Sequence, residues 1–243
     1  MNLGKRRGSV FLVLALLLMF SSLLSLGCQG LKQARKYDAD DRWPCPEYAD
    51  LPLRQDQFEM AIEKHLIVLA QDPDNAVAHY HLGYAYVQLG VHADGISEYL
   101  KALDLGLVKG DLFYNLGMAY GQLGIYQKAE QAFKRAIEME PEYDDNYRAL
   151  GNAQLHQGYF YDAMVSCRKA TELAPNNPDS WHCLALAAAK SDEIGESWNA
   201  VKELRKLDPD YMLDPFLLQI FPAEGKSPLP NAPNDAREPR DPR

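Results

Sequence analysis

Six histidines and four cysteines are the residues of this 243-residue chain best suited to binding a metal or forming a covalent bond. Metal and nucleophilic sites need such side chains to converge, and in a sequence that convergence shows as short, fixed spacings on one helix face or around one turn. No such spacing is found here. His79 and His81 are two residues apart and project from different faces of one helix, while His65, His92, His156 and His182 are scattered singly. No serine stands in a nucleophile-elbow pattern, no glycine loop is built to bind phosphate, and no pair of carboxylates is spaced for acid–base work. The expectation is a protein that is not an enzyme, with no catalytic, metal or cofactor-binding residues and no small-molecule substrate.

Cys28 stands apart because of what precedes it. Lys5, Arg6 and Arg7 form a basic cluster, and Val10 to Leu26 is a 17-residue apolar run broken only by Ser21, Ser22 and Ser25, which is the layout of a secretory signal peptide. The run is short for a membrane span, which needs about 20 apolar residues. Gly27 puts a small residue just before the cysteine. This resembles the lipobox of bacterial lipoproteins, in which cleavage leaves a cysteine that carries lipid. The fit is imperfect, since the family prefers leucine three residues before the cysteine and a small residue two before, where this chain has Ser25 and Leu26. Ser25 and Gly27 also satisfy the small-x-small rule for ordinary cleavage, and an uncleaved anchor is the third alternative. All three place the bulk of the chain beyond the inner membrane, because the basic cluster stays inside. The resemblance implies a signal peptide at 1–27, a lipidated Cys28 and a lipid-anchored protein facing the periplasm; Gln29 in place of an inner-membrane retention aspartate favours the outer membrane.

Charge limits the partners. Losing residues 1–27 removes three cations and no acid, so the net charge falls from −9 to −12. Nucleic acid is excluded as a partner on this ground, since phosphate binding needs a basic surface. With Cys28 lipidated, Cys45, Cys167 and Cys183 remain, an odd number that leaves at least one thiol free or paired between chains.

The elements that must position these residues emerge when the chain is aligned on itself every 34 residues. Gly83, Gly117 and Gly151 keep that spacing with Ala185 next in line, as do Pro141, Pro175 and Pro209. A 34-residue period is the signature of a helix-turn-helix repeat. "FYNLGMAYGQLGIYQKAEQAFKRAIEMEP" and "NYRALGNAQLHQGYFYDAMVSCRKATELAP" resemble the tetratricopeptide repeat, in which helix A and helix B pack as a pair. The family's fourth slot is His79, Phe113, Tyr147 and Trp181, three residues before Leu82, Leu116, Leu150 and Leu184 on one face of helix A. Small residues at the eighth slot face small residues at the twentieth, Ala61, Gly95, Ala129, Ala163 and Ser197, so that the helices approach closely. Gly90, Gly124 and Gly158 fall in the A–B turn, and Asp192 replaces glycine in the last repeat.

The fold class is therefore all-α, a right-handed superhelical solenoid of tetratricopeptide repeats. A linker at 28–53 leads to the repeat domain at 54–221: a half repeat at 54–75, full repeats at 76–109, 110–143, 144–177 and 178–211, and a capping helix at 214–221. The half repeat follows from Pro44, Pro46 and Pro52, which argue against a regular helix before Phe58. Residues 222–243, proline-rich and charged, read as a disordered tail. Cys167 falls on the apolar face of a helix B and Cys183 on the next helix A, so a disulfide and two separate buried thiols are both open.

In this family the inner wall, lined mainly by helix A, is the usual peptide-binding surface. Its slots here hold Tyr80, Tyr84, Tyr114 and Met118, read as apolar anchors, and Arg148, Asn152 and His156, read as groups that orient polar or acidic parts of a partner. The other reading of the tyrosines is packing between helices. Arg148 and Asn152 match two slots of the carboxylate clamp of chaperone-binding repeats, but Cys183 occupies the sixth slot of the next repeat where the clamp needs asparagine. The functional expectation is a membrane-tethered protein–protein scaffold of the bacterial envelope, serving assembly of pili, secretion or outer-membrane complexes. Recruitment or regulation of cell-wall enzymes and docking to a chaperone are the alternatives.

Overall fold

A computed structural model describes residues 45–221. The signal-like segment, Cys28 and most of the expected linker lie outside the described residues, as does the tail from 222. Eleven helices and no strand are found among the described residues: α1 Glu47–Arg54, α2 Phe58–Gln71, α3 Ala76–Gln88, α4 His92–Asp104, α5 Gly110–Gln122, α6 Tyr126–Met139, α7 Asp144–Gln157, α8 Phe160–Leu173, α9 Pro178–Lys190, α10 Ile194–Leu207 and α11 Pro215–Ile220. Each odd-numbered helix up to α9 packs on the even one that follows, each even one up to α8 packs on the next odd one, and α11 returns to α9, so contacts run mainly from neighbour to neighbour along an all-α solenoid.

Local chemistry sets the ends of the helices. The side chains of Asn75, Asn177 and Asp214 accept hydrogen bonds from the backbone amides of Ala78, Asp179 and Phe216 and so cap α3, α9 and α11. Prolines after α2, α6, α8 and α10 stop helix B at Gln71, Met139, Leu173 and Leu207. Between the two helices of a repeat the backbone turns left-handed, with φ of 79° at Gly90, 72° at Gly124 and 80° at Gly158. Asp192 adopts the same turn with φ 66°, a conformation that aspartate tolerates better than most side chains.

The first unit differs from the expectation. Residues 47–54 form a helix, so α1 and α2 make a shortened pair rather than a half repeat, and the extended linker cannot reach 53. Pro46 lies before the helix at its N-cap, where its fixed φ costs nothing, and Pro52 removes only one intrahelical bond in an eight-residue helix. Burial of Ala49, Pro52 and Leu53 against α2 offsets that loss. The 34-residue frame also holds: Ala49 occupies the small eighth slot, and Asp56, with φ 56°, takes the turn position of Gly90. At the other end Leu213, Leu217 and Phe221 join a core with Leu184, Val201 and Leu204, so α11 closes the last pair.

Within each pair the helices meet at the small slots. A Cβ on Gly83 would lie 2.8 Å from the Tyr99 ring, one on Gly117 2.6 Å from Phe133, and one on Gly151 2.5 Å from Cys167 Sγ. The fourth slot ties the pair to the preceding linker: Trp181 Nε1 donates to the carbonyl of Pro175 at 2.7 Å, and His79 Nε2 to that of Pro73 at 3.0 Å. His79 Nδ1 is 2.6 Å from the Glu98 carboxylate of helix B, a hydrogen bond that raises the pKa of the ring against the effect of burial. Replacing Gly117 by valine should cost about 1–3 kcal/mol, since the added side chain meets the buried Phe133 ring. Gly121→Ala, where no atom lies within 4 Å of the new Cβ, should melt at or above the wild-type temperature. Thermal and urea melts of the two variants test this.

Candidate protein-interaction surface

The residues expected to line a groove sit on helix A of successive repeats, but most are covered. Tyr80, Tyr84, Tyr114 and Met118 are 2%, 6%, 1% and 5% exposed, which corrects the expectation of open apolar anchors. The reason lies in the neighbouring helices. Tyr80 packs against Tyr99 with ring centres 5.8 Å apart and accepts a hydrogen bond from Asn115 of the next repeat at 3.1 Å. Tyr114 lies 5.8 Å from Phe133, and Tyr84 meets Phe58 edge-on at 6.2 Å. The packing reading of these tyrosines is the one the structure supports.

The polar residues divide. Arg148 is buried and ion-paired with Asp145 one turn earlier; burial opposes its charge, and Asp145 outweighs burial and raises its pKa. An arginine so held is engaged within its own helix rather than presented to an acidic ligand. Asn152 is half-buried, with Oδ1 3.6 Å from Cys183 Sγ. Only His156 is open, its ring stacked on Tyr126 at 4.4 Å and nearly parallel to it.

His156 belongs to a row that does reach solvent, at the edge of the solenoid where helix A turns into helix B. Val91, Ile125 and Tyr159 are exposed at 34-residue intervals in three successive turns, with Leu89, Leu123 and, at the start of α8, Tyr161 exposed beside them, Tyr161 by 66%. Gln88, Gln122, His156 and Lys190 recur every 34 residues beside them. Clefts open between consecutive turns: one is lined by Ile125, Tyr126, Gln157 and Tyr159, the next by Tyr159, Phe160, Tyr161 and Ser191. Tyr159 lines both. A periodic apolar row flanked by hydrogen-bonding side chains offers repeated, equally spaced contacts to an extended or helical partner. The row is legible in "QLGVH", "QLGIY" and "HQGYFY", where an apolar residue follows the turn glycine, though the family's groove slots direct attention elsewhere.

Tetratricopeptide-repeat profiles match residues 49–106, 110–143 and 145–177, and the first of these takes in part of α1. The chain belongs to the tetratricopeptide-repeat family. No curated protein matches it. Among solved structures, a crystal structure of MamA superposes with a TM-score of 0.64 at 24% identity, covering 68% of this chain and 97% of MamA. MamA from Desulfovibrio magneticus RS-1, residue 41 to its end, gives 0.64 at 17% identity, covering 67% and 92%. YrrB, a TPR protein with an unusual peptide-binding site, gives 0.63 at 23% identity, covering 68% and 86%. At these identities the likeness is one of fold.

The structure also brings together residues that the sequence keeps apart. Cys167 on α8 and Cys183 on α9 form a disulfide with Cα atoms 5.6 Å apart, which joins the third and fourth full tetratricopeptide repeats. At the opposite end Cys45, Asp50, His65 and His81 converge, although no spacing among them signals it. Burial, reinforced by the charge of Asp50, pushes the Cys45 thiol up to about 12, so a cysteine nucleophile is disfavoured there.

These placements separate core from surface by measurement. Tyr114→Ala should destabilise the protein by about 3–5 kcal/mol, the usual cost of removing a buried aromatic ring. Tyr161→Ala should stay within about 0.5 kcal/mol of wild type. Equal melting points for the two variants would contradict the assignment.

Proposed function

We propose that this protein is a non-catalytic protein–protein interaction scaffold tethered to the bacterial envelope, and that it engages its partner along the A–B turn edge. The observation that carries the reading is the exposed row Leu89, Val91, Leu123, Ile125, Tyr159 and Tyr161, set beside His156, in a fold whose expected anchors are buried. A solenoid holds such a row rigidly, so little conformational entropy is lost when a partner lies across several turns. YrrB, a TPR protein with an unusual peptide-binding site, supports the view that this fold can bind peptides.

The tether is Cys28. The basic cluster, apolar run and Gly27 before it support lipidation, and no described helix is long and apolar enough to cross a membrane. Lipid on Cys28 would hold the repeats at a membrane surface facing the periplasm, at the outer membrane by the residue that follows, where the partners include assemblies of pili, secretion channels or outer-membrane proteins. Recruitment of cell-wall enzymes uses the same surface and differs only in the partner.

Two experiments test these parts separately. Mass spectrometry of protein extracted from membranes should find the mature chain beginning at Cys28 with diacylglycerol attached; a mature chain beginning elsewhere removes the tether. A photo-crosslinking amino acid placed at Ile125 or Tyr159 in living cells should capture a defined protein, and one placed at Leu66 or Leu100, exposed on helix B, should not. Capture from the helix B positions alone would move recognition to that face.

A further inference from the structure

Four side chains capable of holding a metal point at one spot beneath the first repeat. They are Cys45 just before α1, Asp50 on α1, His65 on α2 and His81 on α3, and one ligand atom from each lies within 4.8 Å of all the others. Asp50, His65 and His81 are buried and Cys45 is partly so. His65 Nε2 is 3.0 Å from His81 Nδ1, and Asp50 Oδ1 is 3.5 Å from the first and 3.2 Å from the second. The nitrogen and oxygen ligands of a tetrahedral zinc ion sit about 2.0–2.2 Å from the metal, which puts them about 3.3–3.5 Å from one another. The three measured edges lie within a few tenths of an ångström of that figure.

The orientation of the rings supports the same reading. His65 Nδ1 lies 2.8 Å from the carbonyl of Ala61, which can only accept, so Nδ1 carries the proton and Nε2 turns its lone pair toward the cluster. Metal-bound histidines are held in this way, with the remote nitrogen donating to a carbonyl or carboxylate. The two imidazoles stand nearly perpendicular, 88° apart, so the facing nitrogens, hydrogen-bonded to each other, approach without ring stacking. Charge agrees as well: a thiolate and a carboxylate cancel a divalent cation, so the filled site is neutral and suited to burial.

The repeat frame gives an independent argument. His65 and His81 are separated by 16 residues, as are Cys167 and Cys183, and each cysteine lies 102 residues, three periods of 34, beyond the corresponding histidine. Helix B and the next helix A thus meet at the same junction in both places. At the C-terminal junction the meeting side chains are covalently joined. From this geometry we infer that the N-terminal junction is a structural zinc(II) site formed by Cys45, Asp50, His65 and His81, clasping α1 and the segment before it onto α2 and α3.

Zinc displaces the proton of the Cys45 thiol, which leaves to solvent, and the ion gains a sulfur ligand together with two nitrogens and one oxygen. Four protein ligands leave no open position, so the site is structural rather than catalytic. Its place ahead of the repeat stack makes it a cap for an end that otherwise rests on an eight-residue helix containing proline.

The test uses the full chain in detergent, stripped with a chelator and titrated with Zn(II) alone by calorimetry and with Co(II) by absorption. One ion per chain is expected, with intense tetrahedral cobalt bands in the visible and a thiolate-to-cobalt band in the near-ultraviolet. Cys45→Ser should abolish the thiolate band and weaken zinc binding by more than the roughly 10–100-fold that loss of an outer hydrogen bond costs. His81→Asn should weaken it at least as much. Circular dichroism checks that each variant is folded; if a variant does not fold, the cobalt spectrum of the wild type decides. Absence of zinc uptake by the folded wild type, a weak octahedral cobalt spectrum, or binding unchanged in folded Cys45→Ser overturns the assignment.

Discussion

Every pair of helices in this solenoid depends on the close approach of helix A to helix B at the eighth slot, which holds nothing larger than alanine. At Gly117 that space is filled by the Phe133 ring, at Gly83 by Tyr99 and at Gly151 by Cys167. The small residue on one helix and the large one on the other are a single unit of packing, and the interior tolerates little change in volume. From the twenty-fourth slot of helix B, Tyr99 packs on Tyr80 of its own repeat, and Cys167 also reaches Cys183 on the helix A of the next repeat. At that junction one side chain sets both the geometry within the repeat and its register on the next.

That constraint explains what the sequence discloses and what it conceals. The 34-residue spacing of Gly83, Gly117 and Gly151 is a direct imprint of the approach, and the family, the class of fold and the succession of helices are readable from it. Helix α1 was hidden because three prolines argue against a helix on local grounds, whereas its backbone is held by burial of Ala49 and Leu53, a tertiary effect. The frame itself carried the missed signal, in Ala49 at the small slot and Asp56 at the turn.

The expected groove tyrosines are covered for a related reason. Slots that face inward in a single repeat are covered once the next repeat is stacked on it, and Tyr80 and Tyr114 fill that interface instead of lining a free wall. Apolar exposure survives where stacking does not reach, at the turns and on the outer face of helix B. The cluster of Cys45, Asp50, His65 and His81 is invisible to any search for short motifs, since its members come from three helices and the segment before them. Only the superposition of positions three periods apart relates it to the disulfide.

The disulfide between Cys167 and Cys183 has a bearing on how the molecule responds to load. In a linear array each repeat can detach from the end without disturbing the rest, and the last repeat is the first to go. The covalent bond across the junction shields residues 167–183 from extension, so a pull on the C-terminus can peel away α11, α10 and the end of α9 but is then carried past the α8–α9 junction to the chain before Cys167. A protein anchored at one end and drawn upon at the other would then lose its last helices while the α8–α9 junction stays closed.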